Sequence, residues 1–125
     1  MIDHISVGVS DLDRSARFYE AALAALGLTR LVTRPRTVGF GKAYPEFWIN
    51  LRESMPPVAP ESGVHICLRA KTTAEIDAFH AAALAIGGAS DSAPGLRPHD
   101  RVRYYAAFVF DPDGNRIEAV TFPSE

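Results

Sequence analysis

The chain of 125 residues has few of the features that would tie it to a disulfide scaffold, a membrane or a nucleic acid. Its only cysteine is Cys67, so no internal disulfide is possible and a cytoplasmic protein is expected. No apolar run approaches the roughly 20 residues that a membrane-spanning helix needs, and residues 1–4 lack the segments of a secretion signal. The formal net charge of −2 gives no basic surface for nucleic acid or an anionic membrane. With 47% hydrophobic residues, residues 1–125 are expected to form one ordinary domain.

An internal repeat is the most informative feature that the sequence does contain. The positions shared between the two copies include His4 and His65, Ile5 and Ile66, Phe18 and Phe79, and Gly27 and Gly88. Both copies also carry the run Ala-Ala-Leu-Ala just before the shared glycine. Repeated units fold alike, so the two histidines are expected at equivalent positions, each at the start of a strand.

Hydrophobic periodicity predicts the same order of elements in both halves. Residues 3–9 alternate and predict a strand, and an amphipathic helix follows over residues 12–26. Further strands are predicted at residues 31–33, 38–41, 47–52, 64–68, 104–110 and 116–121, with a second helix, capped by Thr72 and Glu75, running to about residue 86. Residues 89–101 are expected to form a polar loop, with the remaining strand short and near Ala89. Strand, helix and three strands, twice over, predict an α+β fold of two units, about 1–55 and 61–125, joined by the connector Met55–Pro60.

The last predicted strand carries a carboxylate, Glu118, within an apolar segment. A buried carboxylate without a partner is costly, and a cation is one such partner. The repeat aligns Glu118 with Asn50 if the second half has an insertion, which is assigned to the 89–101 loop. A rough two-fold axis between the halves would bring together His4, Asn50, His65 and Glu118, and such a set favours a divalent metal ion.

Four segments resemble the vicinal oxygen chelate superfamily of glyoxalase I, extradiol dioxygenases, and fosfomycin and bleomycin resistance proteins. They are Asp3-His4-Ile5-Ser6-Val7, the Asp11–Tyr19 segment, Gly63-Val64-His65-Ile66, and the Phe108–Glu118 segment with its Asp-Pro-Asp-Gly turn and Ile-Glu pair. The resemblance spans nearly the whole chain. It implies two tandem βαβββ units forming curled mixed sheets around a metal-containing cleft.

The resemblance also implies a ligand set. The first-strand histidines and the last-strand glutamate of the family map onto His4, His65 and Glu118, which would hold one divalent ion, Fe, Mn, Ni or Zn. The chain departs from glyoxalase I at Asn50, where that enzyme has a second glutamate. Asparagine cannot act as a base and is a weaker ligand, so a strict glyoxalase I is disfavoured. Two histidines and one carboxylate also match non-haem iron oxygenases and fosfomycin-type transferases.

We therefore expect a metal-dependent enzyme that acts on a small molecule with vicinal oxygens by Lewis-acid catalysis, of lyase, isomerase, dioxygenase or resistance-transferase type. Asn50, Tyr104 and His99 are its candidate catalytic side chains, with Tyr105 as a further candidate proton carrier. The alternative is a metal-free binding protein of bleomycin-resistance type that sequesters a drug or metabolite. A homodimer is expected by resemblance, with each site built either within one chain or across two.

Other residues are interpreted more simply. Phe47 and Trp48 are expected to line the cleft, and Cys67 to be a packed, inert thiol. His80 is expected at the surface, and Asp111 and Asp113 to form a turn. Among the arginines at 34, 36, 97, 101 and 103, some would clamp a carboxylate or phosphate and others would be ordinary surface charges.

Overall fold

The structure is a computed structural model that describes residues 1–124. The first unit comprises β1 (Ile5–Val9), α1 (Leu12–Ala24), β2 (Thr29–Thr33), β3 (Thr37–Gly41) and β4 (Pro45–Leu51). The second comprises β5 (His65–Arg69), α2 (Thr73–Ala85), β6 (Ala89–Arg97), β7 (Tyr104–Phe110) and β8 (Arg116–Thr121), after a short 3-10 turn at Pro60–Ser62. The order βαβββ occurs twice, as predicted, and the α+β fold class is confirmed.

The two units form two separate four-stranded mixed sheets with the same topology. The strand orders are β1-β4-β3-β2 and β5-β8-β7-β6. In each sheet the first strand of the unit pairs in parallel with the last, and the other pairs are antiparallel. His65 therefore begins an edge strand beside the strand that carries Glu118, and His4 lies just before an edge strand beside the strand that carries Asn50.

The two helices begin where the sequence predicts and end slightly earlier. The Asp11 side chain accepts a hydrogen bond from the Arg14 amide at the start of α1, and Thr72 and Glu75 form a reciprocal capping box on α2. Gly27 follows α1 with φ 80°, a conformation that side chains with a Cβ rarely adopt. In the part of the chain that the structure describes, no helix is long and apolar enough to cross a membrane.

The hydrophobic core lies between the helices and the helix-facing sides of both sheets. Its largest fully buried side chains are Tyr19, Phe18, Phe40, Phe47, Phe79, Leu23, Ile49, Ile76 and Ile117. Helices α1 and α2 also pack against each other, and a Cβ at Gly88 would lie 2.5 Å from the Phe18 ring. Phe47 is thus part of this core, and the expectation that it lines the cleft is wrong, because it alternates with Trp48 along β4.

The segment 89–101, expected to be a polar loop, is mostly a strand. Strand β6 runs over Ala89–Arg97 and pairs with β7, with register shifts at Ser90/Ser92 and Ser92/Gly95. It lies at the edge of its sheet, where a proline is tolerated because one side of the strand needs no ladder hydrogen bonds. The bulges disrupt the alternation of polar and apolar residues by which a strand is recognised. The connection between β6 and β7 comprises only residues 98–103.

A tight turn at residues 111–115, called here the inter-unit turn, connects β7 and β8. The amide of Gly114 donates to the Asp111 carbonyl oxygen at 2.9 Å, so the predicted turn is present. Its aspartates do more than shape the turn. Asp113 accepts from the amide of Ser10 at 3.0 Å and from the Ser10 hydroxyl at 2.5 Å, and so ties the second unit to the start of α1 in the first.

The other aspartate of the inter-unit turn, Asp111, is buried in the core. Asp111 is only 4% exposed and its Oδ2 accepts from the Tyr19 hydroxyl at 2.6 Å and from the side-chain amide of Asn115 at 2.8 Å. Its Oδ1 accepts the backbone amides of Asp113 and Asn115. Burial raises the pKa of Asp111, although the hydrogen bonds from Tyr19 and Asn115 oppose that shift. The two units are thus joined by buried polar contacts as well as by helix packing.

Candidate functional site

Strand alternation gives the first sheet a polar face on the side away from the helices. Ile49 and Val9 enter the core, whereas Ser6 and Trp48 are register partners on the other face. An open pocket of about 280 Å³ on this face, called here the first-sheet pocket, is lined by His4, Ser6, Arg34, Thr37, Trp48 and Asn50. The first-unit residues predicted for the site, His4 and Asn50, therefore share one pocket.

The equivalent face of the second sheet carries the second-sheet cluster, which consists of His65, Cys67, Tyr104 and Glu118. Cys67 is the register partner of Glu118, and His65 lies two positions before Cys67 on the same face of β5. Phe108 is the partner of Glu118 on β7, and its ring lies 5.9 Å from that of His65. The second-unit residues predicted for the site, His65 and Glu118, are thus brought together.

Glu118 contacts both His65 and Tyr104 in the second-sheet cluster. It is only 2% exposed, its Oε1 lies 3.1 Å from His65 Nε2, and its Oε2 accepts a hydrogen bond from the Tyr104 hydroxyl. Both carboxylate oxygens therefore have partners, as a buried carboxylate requires. Burial and the Glu118 carboxylate raise the pKa of Tyr104, so that its hydroxyl stays protonated and donates.

His4 lies apart from this pair. Its side chain is 54% exposed, and its Nδ1 lies 2.7 Å from Asp3 Oδ1. His4 and His65 both line a cavity of about 480 Å³ whose walls come from residues 2–5 and 65–68, together with Tyr44 and Glu46. Within residues 1–124, however, no three His, Cys, Asp or Glu side chains are grouped closely enough to hold a metal ion. One chain therefore presents the His65–Glu118 pair and a separate histidine, His4.

The chemistry of these donors fits a divalent ion. Imidazole nitrogens and a carboxylate are the usual ligands of zinc and of non-haem iron. The Asp3 carboxylate occupies Nδ1 of His4 and leaves Nε2 to act as the ligand, which is the common outer-shell pattern at metal-binding histidines. Glu118 is a buried carboxylate next to a second imidazole.

Asn50 is hydrogen-bonded through its amide oxygen. The Thr37 hydroxyl lies 2.6 Å from Asn50 Oδ1 and 2.9 Å from the carbonyl oxygen of Ile49. When Oδ1 accepts from Thr37, the amide nitrogen of Asn50 offers its N–H groups to the pocket. The side chain is therefore suited to donate hydrogen bonds to a ligand rather than to coordinate a metal.

Cys67 differs from the prediction. The thiol was expected to be packed, but Cys67 is exposed and shares the face of His65 and Glu118. Partial burial of the thiol and the nearby Glu118 carboxylate raise its pKa to about 12. It is therefore a protonated thiol in the cleft wall, kept so by partial burial and the neighbouring carboxylate rather than by full enclosure in the core.

The remaining candidates fall on both sides of the second sheet. The His99 ring stacks on Tyr104 with centroids 5.9 Å apart, and its Nδ1 accepts the amides of Arg101 and Val102. Tyr105 was a wrong candidate, because it alternates to the helix side of β7 and its hydroxyl donates to Asp77 on α2. His80, expected at the surface, is half-buried and bonds to Ser90.

Two residues of the first-sheet pocket were not found from the sequence. Ser6 and Thr37 line it beside His4 and Asn50. The alternation of residues 3–9 already puts Ser6 on the His4 face, so that position was accessible. Thr37 enters through the pairing of β3 with β4, where it is the partner of Asn50, and a single sequence gives no signal for that register.

Comparisons with known proteins agree with this geometry. The model of the Glyoxalase/Bleomycin resistance protein/Dioxygenase superfamily matches residues 1–119. A glyoxalase/bleomycin resistance protein from Albidiferax ferrireducens T118 is 34% identical, with a TM-score of 0.85, over 96% of this chain and 98% of its own. Among curated protein sequences, none matches the chain.

More distant structures share the fold. A glyoxalase-related enzyme from Fulvimarina pelagi is 20% identical, with a TM-score of 0.73, over 96% of this chain and 86% of its own. A glyoxalase I mutant from Zea mays is 22% identical, with a TM-score of 0.70, over 94% of this chain but only 44% of its own length. At these identities the likeness concerns the arrangement of strands and helices.

Proposed function

The chain belongs to the Glyoxalase/Bleomycin resistance protein/Dioxygenase superfamily, and from this premise we propose that it is a metal-dependent enzyme acting on a small molecule with vicinal oxygens. The observation that carries the proposal is the buried Glu118 carboxylate against His65, on the face where Cys67 and Tyr104 also lie. His4, His65 and Glu118 are the proposed ligands of one divalent ion, Fe, Mn, Ni or Zn.

The ion, when bound, would supply Lewis-acid chemistry that polarises a substrate carbonyl or stabilises negative charge on oxygen. Tyr104 holds the Glu118 carboxylate in position through its hydroxyl, and is proposed as a positioning residue. His99 stacks on Tyr104, and its Nε2 is proposed to exchange protons with the substrate. Asn50 is proposed to donate hydrogen bonds to the substrate. It cannot accept a proton as a base, so a strict glyoxalase I reaction stays disfavoured.

We propose two arrangements in which His4 joins the pair, by side-chain rotation within one chain or from a second copy in a homodimer. A subunit-mixing experiment separates them. His4→Ala and Glu118→Gln chains each have a broken site alone. In a mixed dimer, a shared site would combine the intact His4 of one chain with the intact His65 and Glu118 of the other. Recovery of metal binding on mixing supports the homodimer arrangement, whereas no recovery supports a site within one chain.

Metal content tests the proposal itself. Purified protein is stripped with a chelator, reconstituted separately with iron, manganese, nickel and zinc, and assayed for bound metal and for a rise in melting temperature. We expect near-stoichiometric binding of at least one metal, lost in Glu118→Gln but retained in the matched control Glu61→Gln, which changes an exposed carboxylate. Less than about 0.1 equivalent with every metal would defeat the proposal.

A metal-supplemented activity screen would then sort the reaction types. Suitable substrates are the methylglyoxal hemithioacetal, catechols and fosfomycin. A protein that binds no metal but still binds a small molecule would instead support the sequestering role of bleomycin-resistance type.

A further inference from the structure

We propose that the first-sheet pocket binds the anionic group of a small substrate, a carboxylate or a phosphoryl group, with Arg34 as its cationic contact and Trp48 as its aromatic wall. This proposal names the substrate class for the function proposed above. It rests on that function only in assuming that the substrate binds on this side of the sheets. The evidence is the charge, the donors and the fixed geometry of the pocket.

Arg34 is the main source of positive charge in the pocket. Its guanidinium carbon lies 5.6 Å from the centre of the Trp48 ring, and within residues 1–124 it forms no ion pair. Other arginines of the chain are paired, such as Arg30 with Glu20 and Arg36 with Glu53. A guanidinium held on an aromatic face keeps its planar fork of N–H donors, which matches a carboxylate or phosphate.

The other lining residues complement an anion. The pocket lining contains no carboxylate, so nothing in it competes for Arg34 or repels a negative charge. The Ser6 hydroxyl and the amide N–H groups of Asn50 are neutral donors, whereas the Thr37 hydroxyl proton is already directed at Asn50 Oδ1. His4 also lines the pocket, so an anionic group bound there would lie next to this proposed metal ligand.

The aromatic wall is held in position by close packing on a glycine. A Cβ at Gly39 would lie 2.8 Å from the Trp48 ring and 3.0 Å from Pro45. The Trp48 ring therefore packs closely on Gly39 of β3, and the Arg34 guanidinium lies against the same ring. An aromatic wall that is already fixed by packing loses little conformational entropy when a ligand binds.

Calorimetric titration of chelator-treated, metal-free protein tests this proposal. Three probes of similar size are used: mandelate as a carboxylate, phenyl phosphate as a phosphoryl compound, and mandelamide as the neutral analogue of mandelate. We expect at least one anion to bind about 10-fold or more tightly than mandelamide, and the tighter of the two identifies the group. Trp48 is the only tryptophan, so its fluorescence should change with the same affinity.

Variants assign the binding to the pocket. Arg34→Gln should weaken the preferred anion by about 10-fold or more. The matched control Arg36→Gln, which removes a nearby arginine paired with Glu53, should change the affinity by less than about 2-fold. Both side chains are exposed, and circular dichroism checks that both variants fold.

Equal binding of mandelamide and mandelate, an unaffected Arg34→Gln variant, or no binding of any probe would overturn the proposal. Because the titration contains no metal, its failure would leave the metal proposal standing. If the protein bound the anion in an Arg34-dependent way but bound no metal, the anion-site proposal would stand and the metal proposal would fail.

Discussion

Replacing Tyr19 by phenylalanine should lower the free energy of unfolding by about 2 kcal/mol. The ring would keep its contacts, with Phe18 edge-on at 4.9 Å and Phe47 also at 4.9 Å between centroids. Only the hydroxyl is lost, and with it the 2.6 Å hydrogen bond to the buried carboxylate of Asp111.

The magnitude follows from the surroundings of that carboxylate. A hydrogen bond to a charged group contributes about 1.5 to 3 kcal/mol. Asp111 keeps three donors, the side-chain amide of Asn115 and the backbone amides of Asp113 and Asn115, so a value in the lower half of that range applies. Tyr19 and Asp111 are both almost fully buried, so solvent screening does not reduce it.

The loss should also depend on pH in a defined direction. Burial raises the pKa of Asp111 above its ordinary value of 3.8, so its contribution to stability is complete below that value and is lost as the pH rises through the folded pKa. The Tyr19 bond favours the charged carboxylate. Its removal should therefore cost more at neutral pH than near pH 4, where a larger share of Asp111 is protonated. The pKa of Tyr19 is raised well above 10, so its hydroxyl remains a donor throughout.

Urea unfolding followed by circular dichroism, at about pH 7 and about pH 4, measures both effects. Tyr44→Phe is the matched control, because Tyr44 is 50% exposed and should change stability by less than about 0.5 kcal/mol. A Tyr19→Phe variant no less stable than this control would refute the reasoning, as would a loss that grows on acidification.

Three further substitutions test other parts of the structure. Ser15→Ala should raise the unfolding free energy by about 1 kcal/mol, because the Ser15 hydroxyl is buried with no hydrogen-bond partner within residues 1–124; a lower melting temperature would contradict this. Gly39→Ala should destabilise by about 1 to 3 kcal/mol and shift the emission of Trp48, since the new methyl group meets its ring; unchanged emission would show that the ring does not rest there. Thr72→Ala should cost about 1 kcal/mol by removing the capping box with Glu75, and an unchanged urea midpoint would exclude that role.

Local patterns in the sequence were sufficient to predict most of the fold. Alternation and capping residues predicted both helices and most strands, and the repeat predicted that the two halves share one topology. Strand β6 was missed because its bulges and Pro94 disrupt the pattern, although pairing with β7 stabilises it. The buried roles of Asp111 and Asp113 were also missed, because their partners Tyr19 and Ser10 lie in the other unit.

The sequence was sufficient to predict which candidate residues lie together within each unit, but not how the residues of the two units are placed relative to each other. Parallel pairing of the first and last strands brings His65 beside Glu118 and His4 into the pocket of Asn50, and both follow from the repeat. The alternation that assigns His65 to the cleft face also assigns Cys67 to that face, so the exposure of Cys67 could have been predicted from the sequence. The relation between His4 and the other two proposed ligands depends on how the two sheets face each other, which no local pattern encodes.

The hydrogen bond from Tyr19 to Asp111 spans 92 positions of the chain, and this has a consequence during synthesis. The first unit leaves the ribosome with the Tyr19 hydroxyl facing no carboxylate, because Asp111 is translated 92 positions after Tyr19. The amino-terminal half therefore cannot reach its final packing as it emerges. Contacts of such long range are also slow to form, so completion of the first unit's core waits for the second unit.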